Sequence, residues 1–453
     1  MNTRETLDLL REYESRNVLF TEPDGSWPIV WEKARGVNVW DADGKKYLDL
    51  TAAFGVAAAG HANPKVVKAG QDQMEKLTHA MGDVHPHARK AELARELSRI
   101  TFERWSSEFH GAGFETTSQP KNPKLETQNP KLQAAKTIFC NSGFEAVEAA
   151  LKTAMLTAGK YGVIAFQGGY HGLGYGALNV THRDLFRGPF RLQLREFGHF
   201  VPFPTKASDL PVTETLMRRH FQRGWVGAVL VEPIQTRGGI NVPPPGFLPL
   251  LRRLCDEHKA LLVLDEVYTG FGRTGEWFAC EHSGVIPDII CLGKALAGGF
   301  PLSACVGRAD VMDAAWPASR GEAIHTSTFL GNPVGCAMAL AQIEEIREKD
   351  LPERAAKSGE FLLGELAKFN SPKSLLSARG MGLMAGLELR LPTGAPDGAA
   401  AMRVIKAMLQ QGFILLPEGE HGNVISFTPP LTLTKAQLTE TLAALTKILH
   451  ETL

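Results

Sequence analysis

Three short segments carry residue types that could together bind an anion and react with a carbonyl compound. Ser142 and Glu145 match an S-x-x-E capping box, and Gly143 between them would let a ligand approach the backbone. Free N–H groups at such a helix start can bind a phosphate, although the same motif also serves as a plain helix cap. Lys294 follows an apolar run and precedes ALAGG, so desolvation would lower its pKa and make its amine a usable nucleophile. Asp265 ends another apolar run, where a carboxylate is costly unless it faces a cation or a donor.

The elements that must position these residues are buried strands. Apolar runs bounded by Gly, Pro or Asp occupy residues 136–140, 161–166, 227–234, 260–267 and 287–293. Their apolar residues are continuous rather than alternating, and helix-like stretches lie between some of them. This pattern predicts an α/β fold with a large doubly wound, mainly parallel sheet. In such a sheet ligands bind beyond the carboxyl ends of the strands, so the residues that follow the five runs should meet at one edge.

The rest of the chain predicts a smaller second domain. From about residue 334 amphipathic helices dominate, and the segments 381–390 and 423–433 then alternate before a closing helix. We therefore expect an N-terminal segment (1–57) associated with the small domain, a large domain (58–333) and a small α+β domain (334–453). Residues 104–135 are polar and turn-rich, with a near-duplication NPKLETQ/NPKLQ, and predict an exposed insertion.

Composition excludes several classes of function. The 453 residues include 49 Lys and Arg against 49 Asp and Glu, so no net charge attracts nucleic acid or an anionic membrane. No apolar run could span a bilayer and the first residues lack a signal-peptide core, so we expect a cytoplasmic protein. The six cysteines form no CxxC pair and are expected to be reduced and buried. No HExxH motif or spaced Cys/His set predicts a metal, and His61, His85 and His87 are interpreted as surface or pocket-wall residues.

A phosphate cradle, an amine nucleophile and a buried carboxylate are together what pyridoxal 5′-phosphate (PLP) requires. They supply an anchor for its phosphate, a lysine for a Schiff base and an acid that keeps its pyridine nitrogen protonated. At these motifs the chain resembles the class III aminotransferases, PLP enzymes of fold type I that include ornithine, 4-aminobutyrate and other ω-amino transaminases. The matching segments are NSGFEAVEAALK (141–152), GGYHG (168–172), GAVLVEPIQ (227–235), DEVYTGFGRTG (265–275), LGKALAGGFPLSA (292–304) and HTSTFLGNPVGCA (325–337). The resemblance runs from residue 36 to residue 434 and fails only at 104–135.

The resemblance implies roles for the catalytic residues. Lys294, 29 residues after Asp265 as in the family, would form the Schiff base and later move a proton. Asp265 would pair with the pyridinium nitrogen, while Tyr170 and Val267 would contact the two faces of the ring. The implied reaction moves an amino group from an amine or amino acid donor to the cofactor, and then to a 2-oxo acid acceptor.

Other residues are implied to bind the cofactor's periphery. Thr328, in HTST, would reach the phosphate of a neighbouring subunit, which implies a homodimer or a dimer of dimers. The remaining cofactor-binding residues implied by the resemblance are Ser142, Gly143, Phe144, His171, Glu232, Tyr268 and Ser327.

Departures from the family pattern concern the substrate. Tyr268 stands where many members have Gln, and its hydroxyl could contact the cofactor's phenolic oxygen. In the ornithine and 4-aminobutyrate branch, the acid of EPIQGE can pair with an arginine that grips the substrate carboxylate. Here those positions hold Arg237 and Ser426. Arg237 either takes over carboxylate binding or is a solvated loop residue of an enzyme for plain amines. Phe54 is expected to line the substrate entrance, or else to be core.

Alternatives remain open at this point. An aminomutase, a racemase or a decarboxylase would begin with the same cofactor chemistry, and an idle homodimeric binding protein is a further possibility that Lys294 and Asp265 argue against. Residues 270–275 read G-x-G-x-x-G, as in dinucleotide-binding oxidoreductases. We interpret this match as accidental, because no long helix pattern follows it.

Overall fold

The computed structural model describes residues 1–22, 24–108, 134–370 and 375–452. Its strands are β1 (Trp31–Arg35), β2 (Asn38–Asp41), β3 (Lys46–Asp49), β4 (Ala135–Cys140), β5 (Gly162–Phe166), β6 (Gly198–Val201), β7 (Val226–Val231), β8 (Leu261–Asp265), β9 (Ile289–Leu292), β10 (Ser303–Arg308), β11 (Leu376–Met381), β12 (Met384–Leu389), β13 (Phe413–Ile414), β14 (Leu416–Glu418) and β15 (Val424–Phe427). Its α-helices are α1 (Thr3–Tyr13), α2 (Ala52–Gly55), α3 (Pro64–Lys76), α4 (Ala88–Ser98), α5 (Arg104–Glu108), α6 (Gly143–Ala158), α7 (Tyr175–Leu178), α8 (Asp184–Arg187), α9 (Leu210–Phe221), α10 (Phe247–His258), α11 (Ala309–Ala315), α12 (Pro333–Glu348), α13 (Leu351–Leu366), α14 (Gly398–Gln410) and α15 (Lys435–Thr452).

A seven-stranded sheet in the order β4-β10-β9-β8-β7-β5-β6 forms the centre of the fold. Neighbouring strands from β9 to β6 are parallel, whereas β10 lies antiparallel between β4 and β9. The strand β4 therefore runs in the same direction as β9. The predicted mainly parallel sheet is confirmed, and the five predicted runs all end at one edge.

Alternate residues of the central strands pack into two separate hydrophobic clusters. On β7, Val229 and Val231 join one cluster with α10, while Ala228 and Leu230 join another with α6. Helices thus cover both faces of the sheet. This two-sided burial explains why the apolar residues of these strands run continuously along the sequence.

Two four-stranded sheets accompany the large one, in the orders β1-β2-β3-β13 and β11-β12-β15-β14. In the first, Leu48 of β3 pairs with Phe413 of β13, so N-terminal strands pair with a C-terminal one. In the second, β12 is buried along its whole length, although its sequence alternates. The strand is internal to its sheet, and its face with Ala385 packs with α13 and α14, while Met384 on the other face packs with Ile240 of the loop after β7.

The first residues of the predicted insertion (104–135) belong to the folded core. Arg104–Glu108 is helical, and the Trp105 side chain is fully buried with its indole N–H donated to Glu281 at 2.8 Å. A buried tryptophan fixed in this way belongs to the core, because its large apolar area is removed from water. Ala135 already belongs to β4. The part of the predicted insertion at 109–133 lies outside the described residues.

All six cysteines are buried with free thiols, as predicted. A membrane-crossing helix is absent from the described ranges, since none combines the necessary length with a sufficiently apolar composition.

Candidate active site

A pocket of about 360 Å³ opens at the carboxyl edge of the large sheet. It is lined by Gly143, Phe144, Tyr170, His171, Gly172, Leu173, Glu232, Arg237, Asp265, Val267, Tyr268 and Lys294. All of these except Gly172 and Leu173 were predicted from the sequence. Larger depressions of about 470 and 820 Å³ elsewhere on the surface contain none of the predicted residues, so chemistry rather than size marks this pocket.

The start of α6 forms one wall of the pocket, and Glu145 caps its backbone. Glu145 Oε2 accepts the backbone N–H groups of Asn141 and Ser142 at 2.6 and 3.0 Å. The residues of the predicted capping box are thus in place, although the buried Ser142 hydroxyl has no hydrogen-bond partner. A buried hydroxyl without a partner is costly, and a ligand oxygen at the helix start would relieve that cost.

Gly143 permits a close contact between this helix start and Val267, which follows β8. A Cβ atom at this position would lie 3.0 Å from Val267 Cγ1. Glycine therefore lets the first turn of α6 approach Val267, and the two residues together narrow the pocket where a planar ligand would lie.

The end of β8 presents an anchored carboxylate. Asp265 Oδ2 lies 2.8 Å from His171 Nδ1, and Asp265 Oδ1 accepts the N–H of Val267 at 3.2 Å. His171 is itself held by a hydrogen bond from its backbone N–H to Thr181 Oγ1 at 2.9 Å. Since a carboxylate only accepts hydrogen bonds, His171 Nδ1 is the donor in this pair. Both side chains are at most 6% exposed, so the pair is a fixed, buried unit.

Lys294 follows β9 and points its amine into the pocket. Burial lowers its pKa to about 8, against the opposing attraction of Asp265, Glu232 and Glu418. Its Nζ atom lies 3.8 Å from the centre of the Tyr268 ring. The backbone has φ of 43°, a left-handed conformation that non-glycine residues rarely adopt and that is typical of functional sites.

Glu232, at the end of β7, fixes the position of Tyr170. Its carboxylate accepts the N–H of Tyr170 at 2.9 Å and that of Thr236 at 3.2 Å. Burial raises the pKa of Glu232 to about 7. The Tyr170 ring packs edge-on against Phe186 with 5.6 Å between ring centres, and this contact fixes its orientation.

Tyr268 faces the pocket with its ring rather than with its hydroxyl. Its OH lies 3.0 Å from the hydroxyl of Thr428, which in turn donates to the Thr51 carbonyl at 3.2 Å. The Tyr268 hydroxyl therefore donates to Thr428. This geometry differs from the predicted contact between the hydroxyl and a ligand, because the OH group already has a protein partner.

Besides Ser142, which lies next to the lining residue Gly143, four predicted residues lie outside the pocket lining. Ser426 is buried in β15 and donates its hydroxyl to the Leu416 carbonyl at 3.1 Å, and its contact with a substrate stays a prediction. Phe54 is 48% exposed, although the adjoining Gly55 packs tightly against the Tyr268 ring. Ser327 and Thr328 are exposed on a surface loop.

Two charged residues near the pocket were missed by the sequence reasoning. Glu418 of β14 is 3% exposed, and its Oε2 atom lies 3.7 Å from Arg237 Nε. Arg183 donates a hydrogen bond from Nη2 to the backbone carbonyl of Arg237. Neither residue belongs to a motif that predicts a site, and Glu418 reaches Arg237 only through the packing of the two sheets.

The glycines of residues 270–275 do not form a dinucleotide site. They lie in consecutive turns, and the next helical element is a short 3₁₀ turn at Ala279–Ser283. Without a helix start after the glycines there is nothing to bind a pyrophosphate. The residues around the pocket instead fit PLP, because they combine a lysine amine, an anchored carboxylate and a helix start with a free buried hydroxyl.

Comparison with known proteins agrees with a PLP site in this pocket. Residues 20–449 match the family model for class III aminotransferases. The chain is 36% identical to an acetylornithine aminotransferase of Methanosarcina acetivorans, over 95% of this chain and 94% of that protein. It is also 36% identical to a putrescine aminotransferase of Pectobacterium atrosepticum, over 96% of this chain and 86% of that protein. The crystal structure of ornithine aminotransferase from Toxoplasma gondii superposes with a TM-score of 0.81 and 27% identity, covering 100% and 96% of the two chains.

The family match covers residues 20–449 and so includes every residue that lines the pocket. The chain belongs to the class III aminotransferases, PLP-dependent enzymes of fold type I.

Proposed function

We propose that this aminotransferase takes an amino group from an amine or ω-amino acid and transfers it to a 2-oxo acid in two half-reactions. The observation that carries the proposal is the convergence of Lys294, the Asp265–His171 pair and the start of α6 at Gly143 around one pocket. The names of two relatives, which refer to acetylornithine and putrescine, support an ω-amino compound as donor.

Bound PLP would supply an aldehyde that joins the amino group and a ring that withdraws electrons from the adjacent carbon. Lys294 would hold the cofactor covalently. With a pKa of about 8, roughly one in ten of its amines is neutral at pH 7, ready to attack the aldehyde. After release by the substrate, Nζ would take the proton from the carbon that carries the amino group.

The surrounding residues would hold and orient the cofactor. Asp265, fixed by His171, would keep the pyridine nitrogen protonated. The start of α6 with the Ser142 hydroxyl would bind the phosphate. Tyr170 and Val267 would contact the two faces of the ring, in line with their positions in the pocket lining.

We infer further that the enzyme is a homodimer in which Thr328 completes the neighbouring site. Thr328 is exposed and outside its own subunit's pocket, and large apolar side chains close to it are exposed as well, with Phe329 at 57% and Ile324 at 68%. A second copy covering this surface would remove these groups from water. The six free thiols favour a reducing compartment such as the cytoplasm.

Absorbance spectroscopy of the cofactor tests the proposed reaction. The protein incubated with PLP should develop a visible band that a Lys294→Ala variant lacks and a Lys68→Ala surface control keeps. A donor should convert this band to that of the aminated cofactor, and a 2-oxo acid should restore it. A band that depends on Lys294 but is restored without any 2-oxo acid would instead indicate a racemase, an aminomutase or a decarboxylase.

A further inference from the structure

The proposed reaction leaves three charged residues at the outer side of the pocket without a role. Arg237 lines the pocket, its guanidinium lies 5.6 Å from the Tyr170 ring centre, and Glu418 and Arg183 lie beside it. These three residues come from the loop after β7, the end of β14 and the segment before α8. Their meeting requires an explanation, because two arginines placed side by side repel each other.

The backbone holds this group together. The Arg237 carbonyl accepts hydrogen bonds from Arg183 Nη2 and from the N–H of Gly419 at 3.2 Å. Gly419 directly follows Glu418, so the Arg237 loop and the end of β14 are joined at the position of the charged group. The side chains are thus positioned by main-chain contacts, and their mutual attraction is not needed to hold them in place.

The ion pair itself is loose. Arg237 Nε is buried and has no hydrogen-bond partner, since Glu418 Oε2 lies 3.7 Å away, beyond hydrogen-bond distance. The Arg237 side chain remains 34% exposed to the pocket, whereas Glu418 is 3% exposed. A guanidinium presented in this way is incompletely paired and can accept a second carboxylate from the pocket side.

We propose that Arg237, supported by Arg183, binds the carboxylate of the substrate, and that Glu418 is a replaceable counter-ion that takes up a proton when that carboxylate arrives. The preferred donors are then ω-amino acids, with a carboxylate at the end remote from the amino group, rather than plain amines. This inference rests on the proposed function, since it concerns the substrate of the same pocket. Glu418 is a positioning residue in this scheme, and Arg237 is the residue that contacts the substrate.

The burial of Glu418 favours such a proton uptake, against the positive charges around it. Arg183, Arg237 and Lys294 face it, and each lowers its pKa, but burial outweighs them and raises the value to about 7. The hydroxyls of Tyr170 and Tyr268 are also near, and burial raises the pKa of each above its ordinary value, so both stay neutral. A substrate carboxylate on Arg237 repels an ionised Glu418 and so favours its protonated form. Carboxylate binding should therefore be tighter below pH 7 than above pH 8.

The first test follows the donor half-reaction alone, by the change in cofactor absorbance without any acceptor. It compares 5-aminopentanoate with pentylamine, which has the same number of carbons but no carboxylate. For Arg237→Ala we expect the half-saturating concentration of 5-aminopentanoate to rise about 10- to 100-fold, the effect of losing a hydrogen bond between charged groups. The value for pentylamine should change less than about twofold. Arg253→Ala, which removes an exposed arginine paired with Glu257, is the matched control.

The second test does not need turnover. Calorimetric titration with glutarate, a dicarboxylate that cannot react, in two buffers of different ionisation enthalpy counts the protons taken up on binding. The wild type at pH 7.5 should take up a substantial fraction of a proton, Glu418→Gln should take up none, and Arg237→Ala should not bind. The titration separates Glu418 from Glu232, whose pKa is also raised to about 7, because Glu232→Gln should leave the uptake in place.

Either test can overturn the inference. Equal losses for 5-aminopentanoate and pentylamine in Arg237→Ala, no glutarate binding to the wild type, or binding without proton uptake would each contradict it. Failure of the proposed function has a different signature, since a holoenzyme that transaminates neither donor could still bind glutarate with proton uptake. Thermal unfolding of each variant shows whether a loss reflects misfolding, and Arg237→Lys, which keeps the charge, should recover part of the affinity for 5-aminopentanoate.

Discussion

The lowered pKa of Lys294 predicts an unusual chemical reactivity of this one lysine in the cofactor-free protein. Its pKa of about 8 compares with the ordinary value of 10.5, and burial is the main cause. At pH 7 the neutral fraction rises from about 1 in 3,000 to about 1 in 11, which is roughly a 300-fold increase. The neutral fraction should reach one half near pH 8, two to three units below the ordinary value for a lysine.

The perturbation is the substitution Asp265→Asn. Asp265 is the largest of the charges that raise the pKa of Lys294, and removing it leaves burial less opposed. The pKa should therefore move below about 8, and labelling at pH 7 should become faster. The direction of the change in the Lys294 pKa is informative, because a substitution that only loosened the pocket would admit water and raise that pKa.

Brief reductive methylation of the cofactor-free protein between pH 6 and 10, followed by mass spectrometry of peptides, measures this directly. The midpoint of the Lys294 profile is the quantity to compare, since the plateau also depends on intrinsic nucleophilicity. Lys68 serves as an internal reference, because its hydrogen bond to Asp72 raises its pKa. A Lys294 midpoint at or above pH 10, or an upward shift in Asp265→Asn, would refute the reasoning.

Two further substitutions test the walls of the pocket. Gly172→Ala should destabilise the protein by about 2–4 kcal/mol in urea unfolding, because its Cβ would lie 2.3 Å from Phe144 Cβ at a φ of 102°. Gly224→Ala, with positive φ but open space, should cost only about 1 kcal/mol, and equal losses would show that packing is not the cause. Tyr268→Phe should cost about 1 kcal/mol for the hydrogen bond to Thr428 and leave the cofactor absorbance unchanged. A shifted band would mean that this hydroxyl contacts the cofactor's phenolic oxygen after all.

Short-range patterns explain why much of the fold and pocket could be predicted. Continuous apolar runs indicate strands buried on both faces, and parallel strands place the residues after them at one edge. Asp265 lies near the end of such a run, Lys294 follows one directly and Gly143 lies three residues after another, so their meeting required only the direction of the strands. The domain boundaries proposed from composition stay predictions.

Other features depended on contacts that no local pattern encodes. The capping motif at Ser142 is present in the sequence, but whether its hydroxyl bonds to the backbone or stays free is decided by the exact placement of α6. Trp105 lies in a polar stretch and is nevertheless buried, because Glu281, far along the chain, receives its indole N–H. The alternation in β12 suggested one exposed face, but that face is buried against the loop after β7.

The amino-acid sequence by itself determined which reactive residues lie at the carboxyl ends of the strands. It therefore determined a pocket that contains a lysine, a carboxylate and a helix start. Only the tertiary structure decided which charges face the substrate. In β14 and β15 the register pairs Leu416 with Ser426 and Glu418 with Val424, which places all four side chains on one face of the sheet. On that face Ser426 donates its hydroxyl to the Leu416 carbonyl, while Glu418 reaches Arg237. The physical reason is that this face of the sheet packs against the loop after β7, as Val424 does with Ile240, and such contacts between distant segments are not encoded in any local pattern.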